Sequence, residues 1–292
     1  MVEDRTMKKT LILENPSKNE IINVIHQNGT EFWRNTLEYY LKDDFLRKNS
    51  NLEYSLDNDV SFFFTGIKNP FGNAIWGANF TEQEAQEKVS IILNKVIRNK
   101  IPIIWWVGSV SKPNNLGDYL VKTGLIKHES LGMYLILKEL EIQQYQQILD
   151  KTKIQIERVS TPKSEKQWSD LCSTLFNMSE VKEEIDQIWR LYYKFCDVYL
   201  ATLEGQPVGA SLGFYGSGVV GIYNVCVYPE YRKQGIGTAL TMAPLLQAKK
   251  KGYEISILMA SSMAINLYKH IGYKECCNYR FYIYTPDNPK EV

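Results

Sequence analysis

Only three histidines (His26, His128 and His270) and five cysteines occur in 292 residues, and no cysteines stand in a Cys-x-x-Cys pair. No spacing among them matches a zinc site, so no metal is expected. The odd cysteine count, with Cys276 and Cys277 adjacent in a strand-like run, reads as reduced thiols in a cytoplasmic protein. Charge of one sign is also scarce. The 34 basic and 33 acidic residues leave a net charge of +1, so no global field advertises nucleic acid or an anionic membrane. The longest apolar run, "IPIIWWVGSV" at 101–110, is about half of the roughly 20 residues that a spanning helix needs. The opening "MVEDRTMKKTLILENPSKNE" mixes charges and lacks a signal-peptide core. What remains is a globular composition, 44% apolar and 23% charged. It has the length of one large or two ordinary domains.

The pattern along the chain is mixed α/β. Helical spacing covers about 18–27 and 31–47. Strand-like runs follow at 60–67 and 72–80, then a helix over 82–99 opened by Thr81 and Glu84 in a capping-box spacing. "IPIIWWVG" reads as a buried strand, 114–124 as a short helix and "GMYLILKEL" as a strand. The polar, Gln-rich segment 141–153 marks a boundary. Beyond it come a strand ("IQIERVS"), helices at about 164–176 and 181–195, a hairpin around 204–207 and a strand ("VVGIYNVCVYP"). A glycine loop, a helix ending at Gly252, the strand "EISILMAS", a short helix and a last strand close the chain. The two halves share an order of element types, which hints at duplication.

The glycine loop, "YRKQGIGTAL" at 231–240, carries the chemistry. It sits where an apolar strand hands over to a helix with a buried stripe at Ile236, Ala239, Leu240, Ala243 and Leu246. The first turn of such a helix has free N–H groups and partial positive charge. Gly235 and Gly237 have no Cβ to hold an anion away, and Arg232 and Lys233 add charge. A Walker loop needs Gly-Lys-Ser/Thr, which is absent. A dinucleotide fingerprint needs a third small residue where Leu240 stands, and a parallel β-α-β unit in place of a preceding hairpin. A tight turn without a ligand is the plain alternative.

The stretch "VCVYPEYRKQGIGTAL" resembles the acyl-CoA-binding motif of the GNAT N-acetyltransferase superfamily, Arg/Gln-x-x-Gly-x-Gly/Ala, filled here by Arg232, Gly235 and Gly237. Downstream, "INLYKHIGYKE" is similar to the superfamily's second signature, with Tyr268, Gly272 and Tyr273. The whole chain resembles tandem GNAT proteins. That implies two GNAT-like domains, each a mixed sheet flanked by helices: a degenerate one at 1–147 and one with the acetyl-CoA site at 148–292. The resemblance implies that amides of Lys233, Gln234, Gly235, Ile236, Gly237 and Thr238 cradle the pyrophosphate. It implies that Val225, Cys226 and Val227 pair with pantetheine and that Tyr268 sits near the thioester sulfur as catalytic acid. Ser261 stands where many relatives have Asn seven residues before that tyrosine, and Pro244 lies inside the pyrophosphate helix, where it should kink it. In the first half, Glu82 and Glu84 open the comparable helix, so one CoA site per chain is expected.

The implied reaction is direct acetyl transfer from acetyl-CoA to a primary amine, on a small molecule or a peptide N-terminus. An alkylamine is neutral only about one time in a thousand at pH 7, yet no carboxylate stands on the strand 221–227. A water relay through Tyr223, Asn224 or backbone carbonyls is the default base. The acidic helix residues Glu180, Glu183, Glu184 and Asp186 read as a solvated face, with attraction of a cationic amine as the alternative. Trp105 and Trp106 read as a buried strand with one ring on each side; walls of an interdomain cleft are the other reading. Trp189, Tyr192 and Tyr193 read as core, or else as pocket. Lys249, Lys250 and Lys251 read as a helix end, or else as a contact for the CoA 3′-phosphate. A non-catalytic acyl-CoA sensor is the rival from another class. Oligomeric state is left open.

Overall fold

The computed structural model describes residues 12–49 and 51–286; most of the charged N-terminal stretch read above lies outside the described residues. The first half runs α1 (Lys18–Lys42), α2 (Asp44–Asn49), β1 (Glu53–Leu56), β2 (Ser61–Phe64), β3 (Asn73–Trp76), α3 (Glu82–Arg98), β4 (Ile103–Val107), α4 (Leu116–Lys122) and β5 (Ile126–Ile136). After α5 (Ile142–Thr152) come β6 (Gln155–Arg158), α6 (Pro162–Leu175), α7 (Lys182–Phe195), β7 (Cys196–Leu203), β8 (Gln206–Gly216), β9 (Val219–Val227), α8 (Ile236–Lys250), β10 (Ile255–Ala260), α9 (Ile265–Ile271) and β11 (Lys274–Tyr284).

Among the described residues the strands form one sheet of 11, in the order β1-β2-β3-β4-β11-β5-β10-β9-β8-β7-β6. The mixed α/β class is as the sequence implies, but the two half-sheets are continuous. Each half supplies an antiparallel meander, then a parallel step: β3 to β4 in the first, β9 to β10 in the second. The last strands are exchanged. β5 pairs antiparallel with β10 of the second half, and β11 pairs antiparallel with β4 of the first. At the centre β5 and β11 pair with each other, with a bulge between Glu275 and Cys277.

Side-chain alternation places the helices. Trp105 and Ile103 of β4 pack under α3 with Val89, Leu93 and Val96, whereas Ile104 faces the other core, shared by α1, α6 and α7. Trp106 packs against that second core, so the two rings part to opposite sides as expected. In the second half α8 and α9 cover β9 and β10 through Met242, Leu245, Tyr268 and Ile271.

Four elements differ from the sequence expectation for visible reasons. First, α1 runs unbroken through Asn28-Gly29-Thr30, where local propensity suggests a break. The buried Asn28 side chain donates to the Gly216 carbonyl at 2.9 Å and accepts from the Tyr223 hydroxyl at 2.7 Å, so it fastens α1 to the second half instead of ending the helix. Second, the Gln-rich segment is α5, whose Tyr145, Ile148 and Leu149 pack beside Ile236, Ala239 and Leu240 of α8. Third, β1 is an edge strand that the sequence reading lacks. Fourth, Thr81 caps α3 by accepting from Glu84 N–H at 3.3 Å, while its hydroxyl donates to the Glu84 carboxylate at 2.6 Å in place of the return bond of a full capping box. Pro244 does sit inside α8. Its missing N–H frees the Leu240 carbonyl, and the fully buried Ser211 hydroxyl of β8 donates to that oxygen at 2.7 Å. The five cysteines form no disulfide.

Two outcomes follow from these contacts. Ser211→Ala strands a buried carbonyl, and we expect a loss of about 1–3 kcal/mol in urea unfolding. His26 on α1 is buried against Gly108, its Nδ1 has no partner among the described residues, and burial lowers its pKa from 6.5 to about 4. The folded state therefore refuses a proton that the unfolded chain accepts. Stability should fall as the pH drops from 6.5 towards about 4, by about 3 kcal/mol in total. His26→Leu should flatten that part of a stability-against-pH curve.

Candidate active site

The glycine loop keeps a helix N-terminus open. After β9 a 3-10 turn covers Pro229–Tyr231, and Lys233 and Gly235 take φ of +61° and +86°. Gly235 is the N-cap of α8, no side chain caps it, and no acid stands in the first turn. Ala239 is the first residue to bond back, to the Gly235 carbonyl at 3.0 Å. The amides of Gly235, Ile236, Gly237 and Thr238 thus have no helical partner. The two glycines have different structural reasons. Gly235 takes the left-handed conformation that costs other residues about 1–2 kcal/mol, whereas a Cβ on Gly237 would lie 3.0 Å from Leu267 of α9. Arg232, Lys233 and Gln234 are exposed beside the amides. The Arg232 Nε donates to the Val227 carbonyl at 3.0 Å and fixes the guanidinium at the strand end. Ile236 is different in kind: its side chain is core, so only its amide faces the loop. The loop suits a diphosphate, with free donors, added cations and nothing acidic at the helix end.

The comparable end of α3 is closed. Thr81 occupies an amide there, and Glu82 and Glu84 add negative charge to the first turn.

Beside the loop, the sheet opens. Parallel pairing of β9 with β10 runs from Val220–Ser256 to Ile222–Leu258 and stops, although β10 continues to Ala260 beside β5. A bulge on β9 drives the parting. Tyr223 pairs with Leu212 and Cys226 with Ala210, so Asn224 and Val225 oppose Ser211 alone, and Asn224 takes a φ of +53°. The β9 edge from Asn224 to Val227 therefore faces a gap where a strand would lie. Val225, Cys226 and Val227 are on this freed edge. Ser261 follows β10 directly, is exposed, and accepts from Ala264 N–H at 2.9 Å through its carbonyl.

Tyr268 of α9 is 7% exposed and meets Tyr273 edge to face at 5.8 Å. Burial, with the Cys226 thiol nearby, raises its pKa, so its hydroxyl stays protonated. The structure thus brings Tyr268 to the freed β9 edge. The Tyr223 hydroxyl is engaged with Asn28, and burial raises its pKa too. It is no base, which leaves Asn224 as the polar side chain at the bulge. His270 is exposed.

A cavity lies between the halves and reaches this gap. The first half supplies Trp33, Trp76 and Trp106; the second supplies Phe176, Trp189 and Tyr192; Asn224 and Met259 line it at the opening between β9 and β10. About 90 Å³ of it is open to water centres, room for several waters. Trp106, Trp189 and Tyr192 serve both as core and as wall. The Tyr193 hydroxyl instead donates to the Glu165 carbonyl at 2.8 Å. Glu180, Glu183 and Glu184 are exposed and Asp186 binds Lys182 at 2.6 Å, so none of these acids lines the cavity. Lys251 is committed to Asp197 at 2.7 Å and to the Tyr215 ring at 3.8 Å, about 20 Å along α8 from the loop. Sequence reasoning missed Trp76, Phe176, Met178 and Met259, which carry no local signal of a pocket.

Among the described residues there is no cluster able to hold a metal ion, and no helix is long and apolar enough to cross a membrane.

Residues 194–275 match the acetyltransferase (GNAT) domain family. Over 66 residues the chain is 38% identical to an N-alpha-acetyltransferase of Sulfurisphaera tokodaii, covering 21% of this chain and 39% of that protein. The chain thus matches about two fifths of that curated relative's length. Among solved structures, a GCN5-related N-acetyltransferase from Kribbella flavida superposes with a TM-score of 0.60 at 13% identity, over 87% of this chain and 96% of its own. One from Sphaerobacter thermophilus gives 0.55 at 15% identity, over 98% and 99%. A tandem GNAT protein from the clavulanic acid biosynthesis pathway gives 0.53 at 10%, over 78% and 79%. At such identities the likeness shows the fold, and it extends well beyond the matched segment into the first half. Residues 194–275 thus match the GNAT acetyltransferase domain, and the fold follows that of GNAT proteins over most of the chain.

Proposed function

We propose that residues 148–292 are an acetyl-CoA-dependent N-acetyltransferase domain that moves acetyl directly to a primary amine, and that residues 1–147 are a degenerate copy without a CoA site. The observation that carries this reading is the uncapped N-terminus of α8 beside the freed edge of β9. The curated relative's name, an N-alpha-acetyltransferase, supports amine acetylation.

The amides of Lys233 to Thr238 hold the pyrophosphate, and Arg232 and Lys233 add charge. Backbone of Val225, Cys226 and Val227 pairs with the pantetheine arm, and Ser261 borders the same gap. When bound, acetyl-CoA supplies an activated acetyl thioester. Tyr268 faces its sulfur. A phenol with a raised pKa releases its proton reluctantly, so its first contribution is a hydrogen bond to sulfur as the carbon–sulfur bond breaks.

A thermal-unfolding titration tests the cofactor. Acetyl-CoA at about 100 times its dissociation constant should add roughly 2.7 kcal/mol of stability, while NAD and ATP add nothing. Gly235→Asp, with a carboxylate at the helix end, should abolish that shift; a shift that survives sinks the loop assignment. Tyr268→Phe should keep the shift and lower amine turnover by about tenfold or more. A shift without any turnover would leave an acyl-CoA-binding module.

A further inference from the structure

The cavity between the halves has two properties that bear on what enters it. The first is its lack of charge. No carboxylate, lysine, arginine or histidine lines it, although the gap beside Asn224 is where an acceptor amine has to meet a thioester. The hydroxyl of Tyr223 is tied to Asn28, and Tyr192 is buried. The polar lining groups are uncharged: Thr30 on α1, Asn224 at the bulge, the Tyr279 phenol, and the indole N–H groups of Trp76 and Trp106, which have no partner among the described residues. The walls are indole, phenyl, phenol and aliphatic groups.

The second property is a glycine that nothing in the packing requires. Gly29 is buried in the middle of α1 and lines the cavity, yet a Cβ built on it meets no atom within 4 Å, and it does not have a positive φ. Most other residues form helix better than glycine. Neither sterics nor backbone angle explains the choice. What the missing side chain does is leave the cavity open on the α1 side.

We propose that this cavity is the acceptor site and that it selects primary amines borne on an aromatic or branched apolar group, taken up in the neutral form. The inference rests on the acetyl-transfer reading above. An uncharged, desolvating pocket disfavours an ammonium and lowers the pKa of a bound amine. That answers the missing carboxylate base: the ammonium proton is left in solvent before entry. The neutral nitrogen bonds to the acetyl carbon while the carbon–sulfur bond breaks. The proton then lost from nitrogen balances the thiolate, giving an amide and the CoA thiol. Asn224 Oδ1 accepts from the amine N–H and orients it. Polycations and lysine side chains, which need carboxylates, are excluded.

The experiment uses the full chain, saturating acetyl-CoA and thiol release as readout, with 2-phenylethylamine, spermidine and a lysine-bearing peptide as probes. We expect kcat/KM for 2-phenylethylamine to exceed the other two by about tenfold or more. It should also rise about tenfold per pH unit below that amine's own pKa. Gly29→Leu fills the cavity and should raise KM for 2-phenylethylamine about tenfold or more while the acetyl-CoA thermal shift is unchanged. Gly29→Ala should raise the melting temperature. Thr30→Phe, on a half-buried position of the same helix, repeats the block should the leucine variant fail to fold. Binding is read separately: four of the six tryptophans, Trp33, Trp76, Trp106 and Trp189, line the cavity, so 2-phenylethylamine should alter wild-type fluorescence but not that of the blocked variant. Spermidine or peptide turnover equal to that of 2-phenylethylamine overturns the selection. An unchanged KM in both blocked variants overturns the location. Loss of the acetyl-CoA shift in wild type would instead remove the reading on which this one rests.

Discussion

Everything about the site depends on the exchange of β5 and β11. Each half ends with a strand that pairs in the other half's sheet, and the two exchanged strands pair with each other at the centre. Hydrogen bonds of a sheet interior thus join the halves, where two domains on a linker would meet only through side chains. The consequence for packing is direct. With the sheet fixed across its middle, α1, α6 and α7 are pressed together over one face, and their meeting point lies above the gap between β9 and β10. The first half, whose α3 opens on Thr81, Glu82 and Glu84, supplies a wall, a helix and the Asn28 fastening to β8 and β9.

Division of labour in the site follows from the kind of group each half contributes. Backbone does the electrostatic part: free amides at α8 and a freed strand edge at β9, each present because a neighbouring element fails to pair. Side chains do the excluding part, as aromatic walls with no ionised group among them. The proline in α8 shows the same economy. The carbonyl it frees is met by Ser211 from the adjacent strand, so no buried acceptor is left without a partner there.

Local chemistry was readable from the sequence, and long-range geometry was not. The α8 loop and the cap at Thr81 are signals carried within a few residues, and the structure places both at helix starts. The resemblance to GNAT proteins rested on the same short stretches. The strand exchange was invisible because β4 and β11 are joined by register, not proximity in sequence. The cavity was invisible because its lining comes from helix, loop and strand segments scattered from Gly29 to Tyr279. Asn28-Gly29-Thr30 was misread as a break since propensity weighs glycine and asparagine by what they do in isolation. Here one is bonded across the halves and the other faces empty space. That the Gln-rich segment forms a helix was not legible because its apolar residues are few, yet they suffice to seat α5 on α8.

The exchange also sets an order of assembly during synthesis. The partner that completes the first half's sheet at β4 is β11, which is made after all the other strands described above. Until β11 emerges, Ile103–Val107 presents an apolar strand edge with no mate, the kind of edge that recruits other chains. The first half therefore cannot finish folding ahead of the second. A nascent chain of this protein has to be kept from its neighbours until β11 is free, and loss of β11 alone damages the first half of the molecule.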